Sequence, residues 1–226
     1  TMRGNRKALF KDHQVRGFVG FLLLTWLVFG TWLWLNSDYS WLDAFRIVAL
    51  NVTSVVTTTG VALGDYTLWG SFSMLLFFYL TFVGGCSGST AGGLKIFRFQ
   101  VAYVLLKANL QQLIHPRAVI KQQYNGHNLD EDIVRSLITF SFFFTITIGM
   151  IALGLALIGL DWITALTGAA TAVCNVGPGL GPIIGPVGNF ASLPDAAKWL
   201  LTIGMLLGRL EILTVLVLLT KAFWKH

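Results

Sequence analysis

Two short stretches decide how this chain folds: Thr57-Thr58-Thr59-Gly60-Val61 and Asn175-Val176-Gly177-Pro178-Gly179. Each follows directly on an apolar run, residues 41–56 and 162–174. Neither run is long enough to cross a bilayer, which takes about 20 mostly apolar residues. Both end abruptly in polar, glycine-containing backbone, and irregular backbone at membrane depth is tolerated only where it lines a cavity or is buried in protein. The pattern reads as a helix that dips halfway into the membrane and returns as a loop.

Longer apolar runs flank each dip, residues 17–35 and 68–97 around the first, 133–160 and 196–220 around the second. The expected fold is therefore an all-α integral membrane protein of two tandem repeats, each a membrane helix, a pore helix, a filter loop and a second membrane helix. Residues 1–97 form the first repeat, 98–131 a cytoplasmic linker and 132–226 the second. The layout recurs at the level of residues. Leu42-Asp43 opens the first short helix and Leu160-Asp161 the second, with seventeen residues from Asp43 to Gly60 and sixteen from Asp161 to Gly177. Asp43 and Asp161 are both placed to cap their helices.

Composition agrees. Of 226 residues, 55% are hydrophobic and 12% charged, against about 25% charged in soluble domains. The first apolar run is too long for a signal-peptide core and sits behind a basic leader. Cys86 and Cys174 lie in apolar or glycine-rich stretches, which gives neither a disulfide framework nor metal spacing. The net charge of +6 would suggest nucleic acid in a soluble protein. Here the distribution matters more, and no nucleic acid is expected.

Arg3, Arg6, Lys7, Lys11 and Arg16 precede the first span; Lys95, Arg98, Lys107, Arg117, Lys121 and Arg135 lie between the second and third; Lys221 and Lys225 follow the fourth. Two spans separate each cluster from the next, so all three fall on one face, the cytoplasmic one, with both termini. The other face carries Arg46 and Lys198 against Asp38, Asp43, Asp65, Asp161 and Asp195, a balance that concentrates cations at a pore mouth. In the linker, residues 101–114 read as an amphipathic helix closed by His115-Pro116, and Asn125-Gly126 as the turn of a hairpin. Trp26, Trp32, Trp34, Trp41, Trp69, Trp162, Trp199 and Trp224 mostly mark span ends, as an interfacial belt does.

A dehydrated monovalent cation needs oxygens in place of its water shell, and filters supply them from backbone carbonyls on a short extended segment. Glycine permits the backbone angles that turn consecutive carbonyls to one axis. The carboxyl end of the half-helix adds partial negative charge, which favours a cation. One Thr-x-Gly or Asn-x-Gly is a weak signal. Two, at matching positions behind two non-spanning helices, are strong.

With these residues the chain resembles the Trk/Ktr/HKT superfamily of potassium transporters, and within it the bacterial TrkH-type subunits. The resemblance covers essentially all 226 residues. It is most specific at Gly84-Gly85-Cys86-Ser87-Gly88-Ser89-Thr90-Ala91-Gly92-Gly93-Leu94-Lys95, at Asn175-Val176-Gly177-Pro178-Gly179-Leu180-Gly181 and at Gly208-Arg209-Leu210-Glu211. It implies that the two repeats are the third and fourth of four, a pseudo-symmetric half of a fourfold potassium-channel-like pore. The filter then falls on Thr58, Thr59, Gly60 and Val61, and on Asn175, Val176, Gly177 and Pro178, with K+ the transported ion and no organic cofactor. Glycine at Gly60 and Gly177 goes with potassium preference in the family, and serine with sodium. The resemblance further implies a bacterial inner-membrane protein, a homodimer of complete subunits, and control by a cytoplasmic nucleotide-binding ring of the TrkA type. A fourfold filter needs four quarters and this chain supplies two. Either an N-terminal half of the same protein or a second copy completes the pore; the non-methionine start favours the former.

The tract 84–93 interrupts a span. Close helix packing through small residues is one reading, but the tract is long and polar for that. In the family it is an intramembrane loop beneath the filter, so Gly84, Gly85, Cys86, Ser87, Gly88, Ser89, Thr90, Ala91, Gly92 and Gly93 are the expected gate, with Arg209 beside them. Arg209 lies near the centre of the last apolar run, where an arginine costs about 2.5–3.5 kcal/mol on insertion scales, and should face protein. Glu211 is on another helical face and is no simple partner.

Gly85-Cys86-Ser87-Gly88 also matches the Gly-x-Ser-Gly of intramembrane serine proteases. That chemistry needs a histidine base at membrane depth, and His13, His115, His127 and His226 all lie outside the spans, so no enzyme is expected. The Gly177-x-Gly179-x-Gly181 run follows no strand and carries Pro178 and Pro182, which argues against a dinucleotide site. The function expected is potassium uptake. The alternatives are a sodium-permeable or poorly selective pathway, and a non-conducting half-protein acting as an assembly module. Lys121, Gln123, Tyr124 and His127 on the hairpin are the expected docking residues for the cytoplasmic partner.

Overall fold

A computed structural model of the chain describes residues 12–118, 121–210, 212–218, 220–221 and 223–224. Among the described residues, two helices are long and apolar enough to cross a membrane, α1 (His13–Asn36) and, later in the chain, α5 (Glu131–Leu157). The Asp12 carboxylate starts α1 by accepting the Gln14 amide at 2.8 Å. Glu131 and Asp132 sit in the first turn of α5, where the helix dipole favours acid. Within the most apolar stretch of each, only 22% and 28% of residues are buried in the molecule. Leu23, Leu24 and Leu27 on α1, and Phe142, Met150 and Leu153 on α5, remain exposed. A core helix of a water-soluble domain would be covered; these outward faces suit lipid.

The inward faces, Phe29 and Leu33 of α1 and Phe144, Ile148, Ile151 and Leu155 of α5, join the common core. They pack on two short helices, α2 (Trp41–Val56) against α1 and α6 (Trp162–Cys174) against α5. Nearly every residue of α6 from Thr164 to Cys174 is buried, which is what a helix apolar on all sides requires.

Of the other two expected spans, one is interrupted over 84–93, as its composition indicated, and the last is divided in two. After a 3-10 turn (Tyr66–Trp69), α3 (Ser71–Phe82) ends after 12 residues. The strands β1 (Val83–Gly84) and β2 (Leu94–Lys95) then pair in parallel, Val83 with Leu94 and Gly84 with Lys95, and close the tract between them as a non-helical loop. Four glycines and four hydroxyl or thiol side chains in residues 85–93 have little helix propensity. The chain resumes as α4 (Ile96–Ile114), so the linker helix anticipated over 101–114 begins five residues earlier and the boundary at residue 97 falls inside it. Likewise the last span divides into α7 (Asp195–Arg209) and α8 (Ile212–Leu218), with Leu210 in a turn between them. Beyond α4, β3 (Gln123–Tyr124) and β4 (His127–Asn128) pair antiparallel across Asn125 (φ 51°) and Gly126 (φ 82°), the left-handed pair that a two-residue hairpin turn needs. α7 packs on α6, α4 runs along α1, and α3 meets α6, which brings the two halves together.

Of the tryptophans, Trp34, Trp41, Trp162, Trp199 and Trp224 are exposed, whereas Trp26, Trp32 and Trp69 pack against the core. Trp32 and Trp69 belong to a cluster with Phe29, Phe72, Tyr66 and Phe77, in which Tyr66 and Phe77 stack at 3.8 Å. That cluster anchors the 3-10 turn against α1 and α3.

Candidate functional site

The two half-helices begin differently and end alike. Asp43 is not the cap of α2. Ser40 is, its hydroxyl accepting the Asp43 amide at 3.2 Å and donating to the Asp43 carboxylate at 2.7 Å. Asp161 does cap α6, accepting the Thr164 amide at 3.1 Å. The Thr164 hydroxyl and amide that face it hold the Asp161 carboxyl below its ordinary range. The helices therefore differ in length, 16 residues against 13, and the equivalence of the repeats lies at their carboxyl ends.

There it is close. Thr58 (φ 54°) and Gly60 (φ 78°) are left-handed, and so are Asn175 (φ 55°) and Gly177 (φ 120°). Alternating left-handed residues with ordinary ones turns successive carbonyls toward one side, the arrangement that a carbonyl-lined filter requires. Asparagine tolerates this region, but a β-branched threonine there is a true outlier. The helix ends are bound in the same register: the Thr59 amide donates to Ser54 O at 2.8 Å and the Val176 amide to Thr171 O at 3.1 Å. The Gly177 amide adds a bond to Thr171 Oγ1 at 3.1 Å. The loops also meet each other. A Cβ on Gly60 would lie 2.5 Å from Val176 O, and one on Gly177 3.5 Å from Gly60 Cα. Thr58, Thr59, Gly60, Val61, Asn175, Val176, Gly177 and Pro178 are thus one cluster, with Thr59, Val61 and Gly177 on its open side.

Two polar residues that no motif signalled hold the outer ends of these loops. Asn51, fully buried in α2, accepts the Leu63 amide at 2.8 Å and donates to Leu63 O at 3.1 Å. Thr167, buried in α6, accepts the Leu180 amide at 3.0 Å. Their partners lie 12 and 13 residues further along the chain, beyond the reach of helical periodicity.

The tract 84–93 lies directly against the inner side of this cluster. The Gly92 amide donates to Thr58 Oγ1 at 3.1 Å, and a Cβ on Gly92 would fall 1.9 Å from Cys174 O. The tract thus touches the carboxyl ends of both short helices, at a point where only glycine fits. Lys95 Nζ, at the start of α4, donates to Ser89 O at 2.9 Å and also to Ala91 O. Arg209 donates to Thr90 O. Three consecutive carbonyls of the loop are thereby held by two cations. Arg209 is not mid-helix as its sequence position suggested but the last residue of α7. Its neighbour Gly208 presses on α6, where a Cβ would lie 1.8 Å from Val173 O. Glu211 lies outside the described residues. A cavity of about 210 Å³ opens beside the loop, lined by Thr90, Lys95, Arg98, Phe140 and Arg209 among others, with the Arg98 guanidinium 3.6 Å above the Phe140 ring.

On the hairpin, Lys121 and Gln123 are exposed. Tyr124 turns inward instead. Its ring meets Phe97 at 5.2 Å and its hydroxyl donates to Gln100 of α4 at 2.5 Å. Burial first, then the negative charge of Asp12, pushes this phenol up to about 12. The side chain of His127 lies outside the described residues. Gln100 also donates to His13 O at 3.1 Å, and Gln14 accepts the Ser87 amide at 3.0 Å. A chain of contacts thus runs from the hairpin through the start of α1 to the tract 84–93. Among the described residues no cluster of three or more His, Cys, Asp or Glu could hold a metal ion, so the oxygen donors on offer at the cluster are backbone carbonyls and hydroxyls.

Comparison with known proteins gives a consistent picture. The family model for TrkH, described as a cation transport protein, matches residues 6–225. The Trk system potassium uptake protein TrkI of Halomonas elongata is 58% identical over 225 residues, which is 100% of this chain and 46% of that protein. TrkH of Escherichia coli is 33% identical over 97% of this chain and 45% of its own length. The crystal structure of the potassium transporter TrkH from Vibrio parahaemolyticus superposes with a TM-score of 0.89 at 34% identity, covering 97% of this chain and 46% of that one. The chain spans about half the length of the curated relatives it matches.

Proposed function

The chain belongs to the TrkH family of cation transport proteins, and from that premise we propose that it supplies two quarters of a potassium-selective uptake pore. The observation that carries this is the paired backbone of the two loops, left-handed at Thr58 and Gly60 and again at Asn175 and Gly177. A potassium ion entering from the acidic face loses water to the carbonyls of Thr58, Thr59, Gly60 and Val61 and of Asn175, Val176, Gly177 and Pro178. The carboxyl ends of α2 and α6 favour its positive charge. The remaining quarters come from a portion equivalent to that part of the relatives which this chain does not span. The complete subunit sits in the bacterial inner membrane, with the basic face inward, and works as a homodimer. Its action is transport and not catalysis, in keeping with the relatives' names as uptake proteins.

The tract 84–93 acts as the gate. Its contact with Thr58 and Cys174 supports a position across the ion path, and Arg209 adds a fixed positive charge that opposes cations there. Regulation enters at the hairpin, where Lys121, Gln123 and His127 dock a cytoplasmic nucleotide-binding ring of the TrkA type. Tyr124 passes the displacement to Gln100 and α1 instead of touching the partner. Replacing Gly60 or Gly177 with Ser in the full-length protein tests the filter. Flux assays in liposomes are expected to show a lower potassium-to-sodium ratio for each variant, whereas ratios equal to wild type in both would remove these loops from the filter.

A further inference from the structure

We propose that Asn51 and Thr167 are positioning residues that set filter geometry, each fixing the outer end of the filter carried by its own half-helix. This rests on the filter reading above. Each loop is strung between two points on one helix. The inner point is the helix end, where the Thr59 and Val176 amides bond to Ser54 O and Thr171 O. The outer point is a buried side chain further back on the same helix, gripping the residue three places beyond the filter glycine: Leu63 after Gly60, Leu180 after Gly177. A segment pinned at both ends to one rigid rod keeps the spacing of the carbonyls between them. That spacing is what distinguishes a larger dehydrated ion from a smaller one.

The two clamps are not equal. The Asn51 amide presents an acceptor and a donor at once and engages both the N–H and the C=O of Leu63, at 2.8 and 3.1 Å, closing a ring as a neighbouring strand would. The Thr167 hydroxyl has one hydrogen, shared between Ile163 O at 2.8 Å and Leu180 O at 3.3 Å. Its firm hold on the loop is acceptance of the Leu180 amide at 3.0 Å. Both side chains are buried, at 0% and 7% exposure, so water does not replace a bond that is removed. A polar residue present only to satisfy the loop would affect folding. One that positions the filter must affect discrimination between ions.

The test uses the full-length protein in liposomes, with Asn51→Leu and Thr167→Val as near-isosteric losses, Thr167→Ser as the conservative rescue and Gly177→Ser and Gly60→Ser as controls. Asn51→Leu is expected to lower the potassium-to-sodium flux ratio by about fivefold or more, the factor equivalent to one buried hydrogen bond. Thr167→Val is expected to lower it by less, and Thr167→Ser to restore it. Hydrogen exchange at the Leu180 amide should quicken in Thr167→Val while α6 stays protected. Wild-type ratios in both Asn51→Leu and Thr167→Val, with Gly177→Ser or Gly60→Ser still impaired, overturn the clamp and leave the filter reading standing. Unaltered ratios in Gly177→Ser and Gly60→Ser alike overturn both. The clamps are read separately, so one variant that fails to accumulate leaves the other to decide; failure of both marks the residues as folding determinants and also overturns the proposal.

Discussion

Thr58 occupies a backbone region that β-branched residues rarely enter, at φ 54°, and strain of this kind persists only where the surroundings enforce it. Two contacts do so here: its amide bonds to Val55 O at 3.1 Å, and its hydroxyl accepts the Gly92 amide at 3.1 Å. One side chain therefore joins the end of α2 to the tract 84–93. Thr58→Val keeps the shape and removes the acceptor, which should cost about 1 kcal/mol in thermal unfolding of the purified protein. It should also free the loop, so ion flux through the reconstituted protein is expected to rise; unchanged flux would detach the loop from gating. The left-handed glycines Gly60 and Gly177 were legible in sequence as the turn-back points of two short apolar helices ending in Thr-x-Gly and Asn-x-Gly. The partners of Thr58, Asn51 and Thr167 were not, since each bond spans 12 or more residues and arises from the folded loop alone.

At the scale of elements, caps and interruptions decide where each helix stands. Asp161 caps α6, and its carboxyl is held below the ordinary carboxylate value by Thr164. A depressed folded value means that the stabilisation is complete above the unfolded pKa and is lost as pH falls through the folded one. Asp161→Ala should therefore lower stability by about 1 kcal/mol near neutral pH, with the gap closing in strong acid, as thermal melts at several pH values would report. A gap independent of pH would remove the cap from the account. Sequence reading found both short helices, the linker helix and the turn at Asn125-Gly126, all marked by local signals. It also anticipated the break over 84–93, whose glycines and hydroxyls interrupt the apolar run, but took the last span as continuous through Leu210, where the backbone turns. The contacts that anchor these breaks, Gly92 against Cys174 O and Arg209 on Thr90 O, are long-range and lie beyond any local pattern. Arg209 accordingly stands at a helix end, and Ser40, not Asp43, begins α2.

At the scale of the molecule, two long helices hold two half-helices whose loops converge on one cluster, with a glycine-rich loop pinned below by Lys95 and Arg209. The open side of the cluster, with Thr59, Val61 and Gly177 exposed, is where the proposed function puts the ion and the remaining quarters of the filter. The central claim is that the carbonyls of these two loops bind the dehydrated ion. Anomalous diffraction from crystals of the full-length protein grown in rubidium or thallium tests it directly. Ion density coordinated by the carbonyls of residues 58–61 and 175–178 is the predicted result; a filter empty of ion, with density bound elsewhere along the pore, would contradict it.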